Sequence, residues 1–336
     1  MREALLWEGV EDNTVKCNLC AHRCTIKDGR RGICEVRENR NGKLYSLSYR
    51  KLIASHVDPI EKKPLFHFLP GSRSYSIATI GCNFRCDFCQ NWHISQAERK
   101  GRDLPGEDVS PEEIVKSALK TNCASISYTY TEPTIFFEYA IETAKEAVRA
   151  GLKNNFVTNG YQTAETIRMM KGWIHAANVD LKSFSNEFYK KQCGARLQPV
   201  LDSIKLMYDA GIHVEVTTLV IPSLNDSEAE LREVAGFLRS ISPDIGWHVS
   251  RFHPDYKLLD RSATSERTIF RAVEIGKEEG LNYVWAGNLP MDGYEDTICP
   301  SCKKTVIKRS WFSVTEMNLQ ENRCAFCGNV LAIIVK

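Results

Sequence analysis

The sequence predicts an α/β fold in which a parallel sheet, open or closed into a barrel, is covered by helices. Between residue 74 and about residue 290, short apolar segments typical of strands alternate with amphipathic segments typical of helices. Three of the predicted helices end at Gly151, Gly211 or Gly280, each directly before a predicted strand. Glycine closes a helix by adopting the left-handed conformation, so one strand–helix unit repeats along the chain.

The units follow one another in a regular order. Ser110 and Glu113 form the pattern of a capping box, with Pro111 at the first helical position. Predicted helices cover 111–121, 134–150, 164–174 and 199–210; one more follows Ser227 and the last ends at Gly280. Predicted strands cover 74–80, 124–130, 154–158, 177–181, 213–220, 246–252 and 282–285.

Composition limits the class of protein. The 336 residues carry 44 basic and 42 acidic side chains, a balance that does not indicate nucleic acid or an acidic membrane as a partner. No apolar run is long enough to span a bilayer, and the first residues do not resemble a signal peptide. Most of the 13 cysteines fall into three clusters with metal-ligand spacings, which predicts a reducing, cytoplasmic location.

The central cysteine cluster directly follows the first predicted strand of this region. Cys82, Cys86 and Cys89 have the spacing C-x3-C-x2-C. Three thiolates on one loop can hold three corners of a 4Fe-4S cluster and leave the fourth iron open. Structural zinc requires four protein ligands, so a zinc site would need a distant fourth residue. Three unrelated thiols remain the other alternative.

This loop resembles the cluster loop of the radical S-adenosylmethionine (radical SAM) enzymes, C-x3-C-x-aromatic-C, with Phe88 as the aromatic residue. The resemblance implies a partial (βα)6 TIM-like barrel over residues 74–290. It also implies a 4Fe-4S cluster whose open iron chelates SAM. One electron, from a reductant such as ferredoxin or flavodoxin, would then release a 5′-deoxyadenosyl radical that abstracts hydrogen from a substrate.

Polar residues follow several predicted strands, at the end of the barrel where active sites lie. Glu132 stands where the family has a Gly-Gly-Glu motif, although Tyr130 and Thr131 replace the glycines. The resemblance implies that Glu132 faces the SAM ammonium group. The alternative is a cap for the helix that follows.

Four further residues of this rim are candidates for SAM binding. Asp180 and Lys182 alternate along a strand end and so point to one face. They resemble a SAM-contacting segment of the activating-enzyme subfamily, or else form a solvated ion pair. Asn159 and His253 also follow predicted strands, and His253 could instead be a histidine packed in a turn.

The N-terminal segment, residues 1–55, is expected to bind a metal. It contains few apolar residues, and a metal held by four cysteines would stabilise it. The spacing favours structural zinc slightly over a second iron–sulfur cluster, His22 could replace one ligand, and metal-free thiols remain an alternative. Residues 56–73 are predicted to be a connector that avoids helix and central strand. The cysteines of the segment are Cys17, Cys20, Cys24 and Cys34.

The C-terminal segment, residues 291–336, is predicted to be a separate zinc-ribbon or rubredoxin-like module. It contains two C-x2-C pairs, Cys299 with Cys302 and Cys324 with Cys327. Zinc is the favoured metal, and rubredoxin-type iron is the alternative. Short strands are predicted at 305–307 and 330–335.

The whole chain resembles a narrower group. Its core is similar to the pyruvate formate-lyase activating enzyme group, and its flanking segments are similar to the AmmeMemoRadiSam proteins. The N-terminal cysteines, the run 89–96 and the Gly287-Asn288 pair carry this similarity. It implies Memo-type and AMMECR1-type partners but no defined substrate, which could be a small molecule or a protein. Activation of a glycyl-radical enzyme and a non-catalytic electron-transfer or scaffold role are the alternatives.

Overall fold

The computed structural model describes residues 1–96, 103–289 and 293–335. The N-terminal segment contains six short strands in two antiparallel sheets, ordered β1-β6-β5 and β2-β3-β4. These strands are β1 (Arg2–Glu3), β2 (Trp7–Gly9), β3 (Val15–Cys17), β4 (Thr25–Ile26), β5 (Arg37–Arg40) and β6 (Lys43–Ser46).

A nine-stranded sheet forms the centre of the molecule. Its strands are β7 (Lys51–Pro59), β8 (Arg73–Thr79), β9 (Glu107–Asp108), β10 (Ser125–Tyr128), β11 (Lys153–Thr158), β12 (Ala176–Asp180), β13 (His213–Val220), β14 (Gly246–Arg251) and β15 (Val284–Gly287). The order is β15-β14-β13-β12-β11-β10-β8-β7-β9. Strand β8 and strands β10 to β15 pair in parallel throughout. The predicted parallel sheet is confirmed, with a seventh parallel strand after the six βα units.

The helices occupy the predicted places. Ser110 caps the second helix, because its hydroxyl accepts from Glu113 N at 3.2 Å while Ser110 N donates to the Glu113 carboxylate at 2.7 Å. Gly151, Gly211 and Gly280 have φ values of +81°, +80° and +91°, as the predicted helix ends require. The helices are α1 (Trp92–Ser95), α2 (Pro111–Lys120), α3 (Phe137–Arg149), α4 (Ala164–Met170), α5 (Asn186–Phe188), α6 (Gln198–Asp209), α7 (Glu228–Ile241) and α8 (Glu266–Glu278). In the described residues, no helix is long and apolar enough to cross a membrane.

The first residues of the predicted connector, 56–59, lie in a strand, but at an edge of the sheet and not in a central strand. Strand β7 runs on to Pro59 and pairs antiparallel with β8. Its other edge pairs with β9 only at Lys51 and Leu52, so Pro59 lies where a missing N–H costs no ladder bond. The chain then forms an apolar plug under the sheet, in which Ala176 of β12 packs against Ile60, Leu65, Phe68 and Leu69.

The C-terminal module contains the sheet β16 (Thr297–Ile298), β17 (Thr305–Ser310) and β18 (Ser313–Met317), followed by the pair β19 (Leu319–Gln320) and β20 (Arg323–Cys324). The strand predicted at 305–307 is confirmed within β17. The strand predicted at 330–335 is wrong, because this tail fastens the module to the plug. Ile334 N donates to His67 O at 2.8 Å, and Leu69 N donates to Ile334 O at 2.6 Å. The predicted boundary between residues 290 and 291 lies outside the described residues.

The two terminal segments lie at opposite ends of the parallel strands. Beneath the barrel, Glu215 near the start of β13 accepts from the backbone N–H groups of Phe66 and His67 in the plug, at 2.9 and 2.8 Å. The N-terminal segment instead contacts loops after β8 and β11: Ala21 N donates to Tyr161 O at 2.9 Å. The plug and the C-terminal module therefore lie at the amino end of the strands, and the N-terminal cysteines lie at the carboxyl end.

Candidate functional site

The three-cysteine loop begins directly after β8, at the carboxyl end of the sheet. Cys86 is buried, and Cys82 and Cys89 are half-buried. A π-helical turn, Tyr189–Cys193, holds the loop from below. Arg85 N donates to Cys193 O at 2.8 Å, and Asp87 N donates to Gln192 O at 3.0 Å. The backbone of the loop is thus fixed without any use of its thiols.

The surroundings of the three thiols fit a thiolate-bound cluster. Phe84 N donates to Cys82 Sγ at 3.4 Å, and Cys89 Sγ lies 3.0 Å from the Ser95 hydroxyl. Burial raises the pKa of Cys82 and of Cys89, so without a metal both would be neutral thiols. Iron binds the deprotonated form and removes this cost, and donors to sulfur then stabilise the charge.

Aromatic rings close the apolar side of the loop. Phe88 is buried against Phe188, with ring centroids 5.8 Å apart. Phe84 is buried edge-on against Tyr161 at 5.0 Å. These rings exclude water from beneath the cysteines, as a site for reactive intermediates requires. Phe88 lies 5.7 Å from the Lys182 ammonium, so the aromatic residue of the motif also borders the polar rim.

Glu132 is buried and caps the short 3-10 helix Pro133–Phe136. Its Oε1 accepts from Thr134 N at 3.0 Å and from the Thr158 hydroxyl at 2.8 Å, and its Oε2 accepts from Asn159 N at 2.8 Å. Burial raises its pKa despite these donors. Glu132 is nevertheless close enough to Cys82 to raise the pKa of that thiol. Oε2 accepts from this one backbone donor and can accept a second hydrogen bond.

Tyr130, one of the two residues that replace the family's glycines, has an unusual backbone conformation. Tyr130 has φ +60°, in the left-handed region that glycine enters freely and tyrosine rarely does. Its hydroxyl donates to the buried Asp58 at 2.5 Å, which directs the side chain away from the rim. The backbone at Tyr130 therefore has a conformation that glycine could also adopt. The tyrosine side chain does not occupy the site.

Asn159 connects the rim to the cysteine loop. Tyr161 N donates to Asn159 Oδ1 at 3.2 Å, which fixes the orientation of the amide. Its Nδ2 then donates to Asn83 Oδ1 at 2.7 Å and lies 3.8 Å from Cys82 Sγ. Asn159 is thus a positioning residue for the loop beside Cys82.

Asp180 and Lys182 lie on one face, as predicted. Lys182 Nζ is 2.9 Å from Asp180 Oδ2. Burial alone would lower the lysine pKa, but the Asp180 carboxylate outweighs burial and holds the pKa well above its usual value. The ammonium group therefore stays charged next to the loop. His253 follows β14 at the same end, but it is exposed, and no contact joins it to the cysteines within the described residues.

Cys193 lies outside the three cysteine clusters of the sequence. It is buried, and its thiol is the main reason that the pKa of Cys86 lies well above its usual value. The residue ends the π-helical turn under the loop. π-Helical turns are uncommon and concentrate at functional sites, but no spacing rule predicts one from sequence.

The N-terminal cysteines line a small cavity beside this loop. All four contribute to it, together with Arg37 and Asn83. The His22 ring nitrogen Nε2 is 2.8 Å from Asn83 O, which occupies one of its two possible ligand atoms. Burial raises the pKa of Cys34 to about 11.

The C-terminal cysteines form a compact group of four. Cys299 Sγ is 3.7 Å from Cys327 Sγ, and Cys302 Sγ is 3.7 Å from Cys324 Sγ. Four sulfurs at about 2.3 Å from one zinc ion stand about 3.8 Å apart in a tetrahedron. The donor set and its spacing fit a single ion such as zinc. In the described residues, no other set of three or more potential ligands is as close.

Comparisons with known proteins agree with this arrangement. Residues 76–235 match the family model described as "Radical SAM superfamily". A Methanocaldococcus jannaschii protein, "Uncharacterized protein MJ0808", is 44% identical over 338 residues and is covered completely by the match, as is this chain. The pyruvate formate-lyase-activating enzyme of Clostridium pasteurianum is 22% identical over 181 residues, which is 51% of this chain and 71% of that protein.

The solved structures show the same fold. Streptococcus suis SuiB bound to S-adenosylmethionine superposes with a TM-score of 0.50 at 13% identity, over 65% of this chain and 52% of that chain. Together with the matched family model and the cysteine loop after the first parallel strand, these findings show that the chain belongs to the radical SAM superfamily.

Proposed function

We propose that this protein binds a 4Fe-4S cluster through Cys82, Cys86 and Cys89 and uses it to cleave SAM reductively. When bound, the cluster supplies one electron that breaks the bond between the SAM sulfur and its 5′ carbon, which yields methionine and a 5′-deoxyadenosyl radical. The radical takes a hydrogen atom from a substrate. The observation that carries this proposal is the position of the three thiols, on a fixed loop beside a buried polar rim.

The side chains around the cysteine loop have separate proposed roles in binding SAM and in excluding water. Lys182 presents a positive charge beside Cys86, where it can bind carboxylate or ribose oxygens of SAM. Glu132 offers one acceptor site to the SAM ammonium, while its other contacts hold the loops after β10 and β11 together. Phe88 and Phe84 exclude water from the radical. Asp180, Asn159 and His253 complete the proposed set.

The test is anaerobic incubation with SAM and dithionite. We expect slow formation of methionine and 5′-deoxyadenosine, and none from the variant in which Cys82, Cys86 and Cys89 are alanine. A fully iron-loaded, reduced protein that releases no 5′-deoxyadenosine would support the non-catalytic alternative, an electron-transfer or scaffold protein.

Glu132→Gln tests the rim. The change keeps the size but removes the charge, and we expect SAM binding to weaken by about 1.5–3 kcal/mol. Iron content should remain that of the unaltered protein. Because Glu132 also caps a helix, Thr134→Val is the matched control, since it removes a donor to the same carboxylate without removing its charge. Equal loss of SAM affinity in both variants would show that Glu132 acts only as a helix cap.

The named relatives support a proposal for the substrate class. Besides the clostridial enzyme, the benzylsuccinate synthase activating enzyme of Thauera aromatica is 24% identical over 162 residues. We propose a protein substrate and a low-potential protein reductant on this basis, with activation of a glycyl-radical enzyme as one form of the reaction. Memo-type and AMMECR1-type partners belong to the same proposal, and co-purification with each candidate partner is its test.

A further inference from the structure

The N-terminal cavity contains two buried N–H donors without an acceptor. Arg37 Nη1 donates to Glu138 and Nη2 donates to Leu5 O, but Arg37 Nε, which is also buried, has no partner in the described residues. Such an unpaired donor costs free energy unless something else accepts its hydrogen. Arg37 is only 2% exposed and lines the cavity with the four cysteines.

The second donor comes from the loop that carries Cys82. The Tyr161–Asn159 hydrogen bond fixes Asn159 Nδ2 as the donor to Asn83, so the Asn83 atom at that contact is Oδ1. Asn83 Nδ2 therefore lies on the other side of its amide. It is buried without a partner in the described chain, and Asn83 lines the cysteine cavity. The side-chain amide of Asn83 thus borders both the Cys82 loop and the N-terminal cavity.

The sulfur positions separate this cavity from the C-terminal group. No three of the N-terminal sulfurs, all of which lie in the described residues, come within 4.8 Å of one another, whereas the four C-terminal sulfurs do. Among the described residues, the thiols of Cys82, Cys86 and Cys89 do not form such a close group either. Thiolates on one zinc ion must stand close together, whereas thiolates of a cubane bind different irons and stand farther apart.

We propose that Cys17, Cys20, Cys24 and Cys34 bind a second iron–sulfur cluster, to whose sulfurs Arg37 Nε and Asn83 Nδ2 donate hydrogen bonds. This choice replaces the zinc that the spacing slightly favoured. Apolar walls from Leu19, Ile26 and Ile135 keep the cavity dry. A hydrogen bond from Arg37 Nε to a cluster sulfur favours the reduced, more negative state of the cluster, because it stabilises the added charge on sulfur.

The position of this cluster gives it a role in electron entry, a step that rests on the function proposed above. A low-potential one-electron protein donor would lose one electron to the second cluster. That cluster would return to its oxidised state by passing the electron to the site on the Cys82 loop, where cleavage of SAM consumes it. Asn83 is adjacent to Cys82 in the chain and borders the second cavity, so about one residue separates the two sites.

The experiment uses the full chain with Cys82, Cys86 and Cys89 replaced by alanine, so that it does not depend on SAM chemistry. After anaerobic reconstitution, we expect about four irons and four sulfides per chain and an electron paramagnetic resonance signal after reduction. Further replacement of Cys17 and Cys20 by serine should remove both. A chain that contains no iron but two zinc ions would overturn the proposal.

Two further measurements guard against variants that fail to fold. Arg37→Lys keeps the charge near Glu138 but removes Nε–H, so the reduction potential of the second cluster should fall while iron content stays constant. An unchanged potential would overturn the role of Arg37. In the unaltered, reduced protein the two signals should broaden each other. A spectrum equal to the sum of the two single-cluster spectra would overturn the proposed adjacency.

Discussion

The two terminal segments each contain four cysteines but meet the barrel at opposite ends. The N-terminal segment borders the loops after β8 and β11, beside Cys82. The C-terminal module contacts the plug, near the start of β13. Strand β13 alone has eight residues, which corresponds to about 26 Å. Four cysteines in sequence therefore indicate a metal but not its role, which depends on distance from the reacting end.

The segments are also attached differently. Arg309 of the C-terminal module is fully buried, and its Nη2 donates to Phe66 O at 2.6 Å while its guanidinium lies 4.4 Å from the Phe66 ring. The N-terminal segment is joined to the barrel by the buried pair of Arg37 with Glu138 and by exposed pairs such as that of Arg23 with Glu165. We expect the C-terminal module to stabilise the fold and the N-terminal segment to affect the chemistry.

The largest effect should follow loss of the C-terminal metal. Structural zinc contributes about 10–16 kcal/mol of binding free energy in small peptides, so Cys299→Ser with Cys302→Ser should unfold the module. We expect zinc to be lost and residues 293–335 to become sensitive to protease. Because the site is remote from Cys82, 5′-deoxyadenosine formed per iron-loaded molecule should be unchanged. A selective loss of SAM cleavage would give the C-terminal module a part in the chemistry.

Removal of the buried arginine should have the next largest effect. Arg309→Met leaves Phe66 O and the nearby Glu61 carboxylate without their cation, and breaking such a buried contact costs about 3–5 kcal/mol. The free energy of unfolding, measured with urea, should fall by this amount while zinc content is kept. Arg323→Met is the matched control, because this exposed arginine makes one bond to Gly328 O, and its effect should stay within about 0.5 kcal/mol. Equal effects would show that the buried contact does not anchor the module.

A smaller effect is expected for Asn159→Ala, at the opposite end. The change leaves the buried Asn83 Oδ1 without its donor, a cost of about 1–3 kcal/mol in unfolding free energy. It should also alter the resonance spectrum of the cluster on the Cys82 loop, which Arg309→Met should not. Asn282→Ala, which removes an exposed bond to Asp244, is the control. An unaltered spectrum would contradict the positioning role of Asn159.

The fold could be predicted in large part because its signals are local. The glycines after three helices and the capping box at Ser110 depend on neighbouring residues, and the structure confirms them. The strand at 330–335 was wrong for a reason of tertiary structure: Ile334 pairs with Phe68, which lies far away in the sequence. Alternating apolar residues are expected both for a strand inside the module and for a tail that pairs with a distant segment. The sequence pattern therefore does not distinguish the two.

Only those parts of the site could be predicted that have a characteristic spacing in the sequence. The three cysteines of the loop and the polar rim follow from strand ends, and the structure brings Asn159 and Lys182 to that loop. Arg37 and Cys193 were missed, because an arginine in a charged segment and a single cysteine have no distinguishing pattern. Their burial beside other cysteines is visible only after folding.

The smallest predicted effect concerns the exposed pair that joins the N-terminal segment to helix α4. Arg23 Nη2 lies 3.0 and 3.1 Å from the two oxygens of Glu165, and the two side chains are 41% and 34% exposed. Exposed pairs contribute about 0.2–1 kcal/mol, because water screens the charges and both side chains lose freedom. Arg23→Ala, Glu165→Ala and the double variant should give a coupling energy of this size.

The double-mutant cycle is needed because Glu165 also lies in the first turn of α4, where a negative charge stabilises the helix by itself. High salt should reduce the coupling, since at about 1 M ionic strength the screening length is only about 3 Å. A coupling energy that is as large as the effect of Arg309→Met and insensitive to salt would contradict the proposed difference in attachment between the two segments. The N-terminal segment would then be anchored by its surface charges as firmly as the C-terminal module is by its buried arginine.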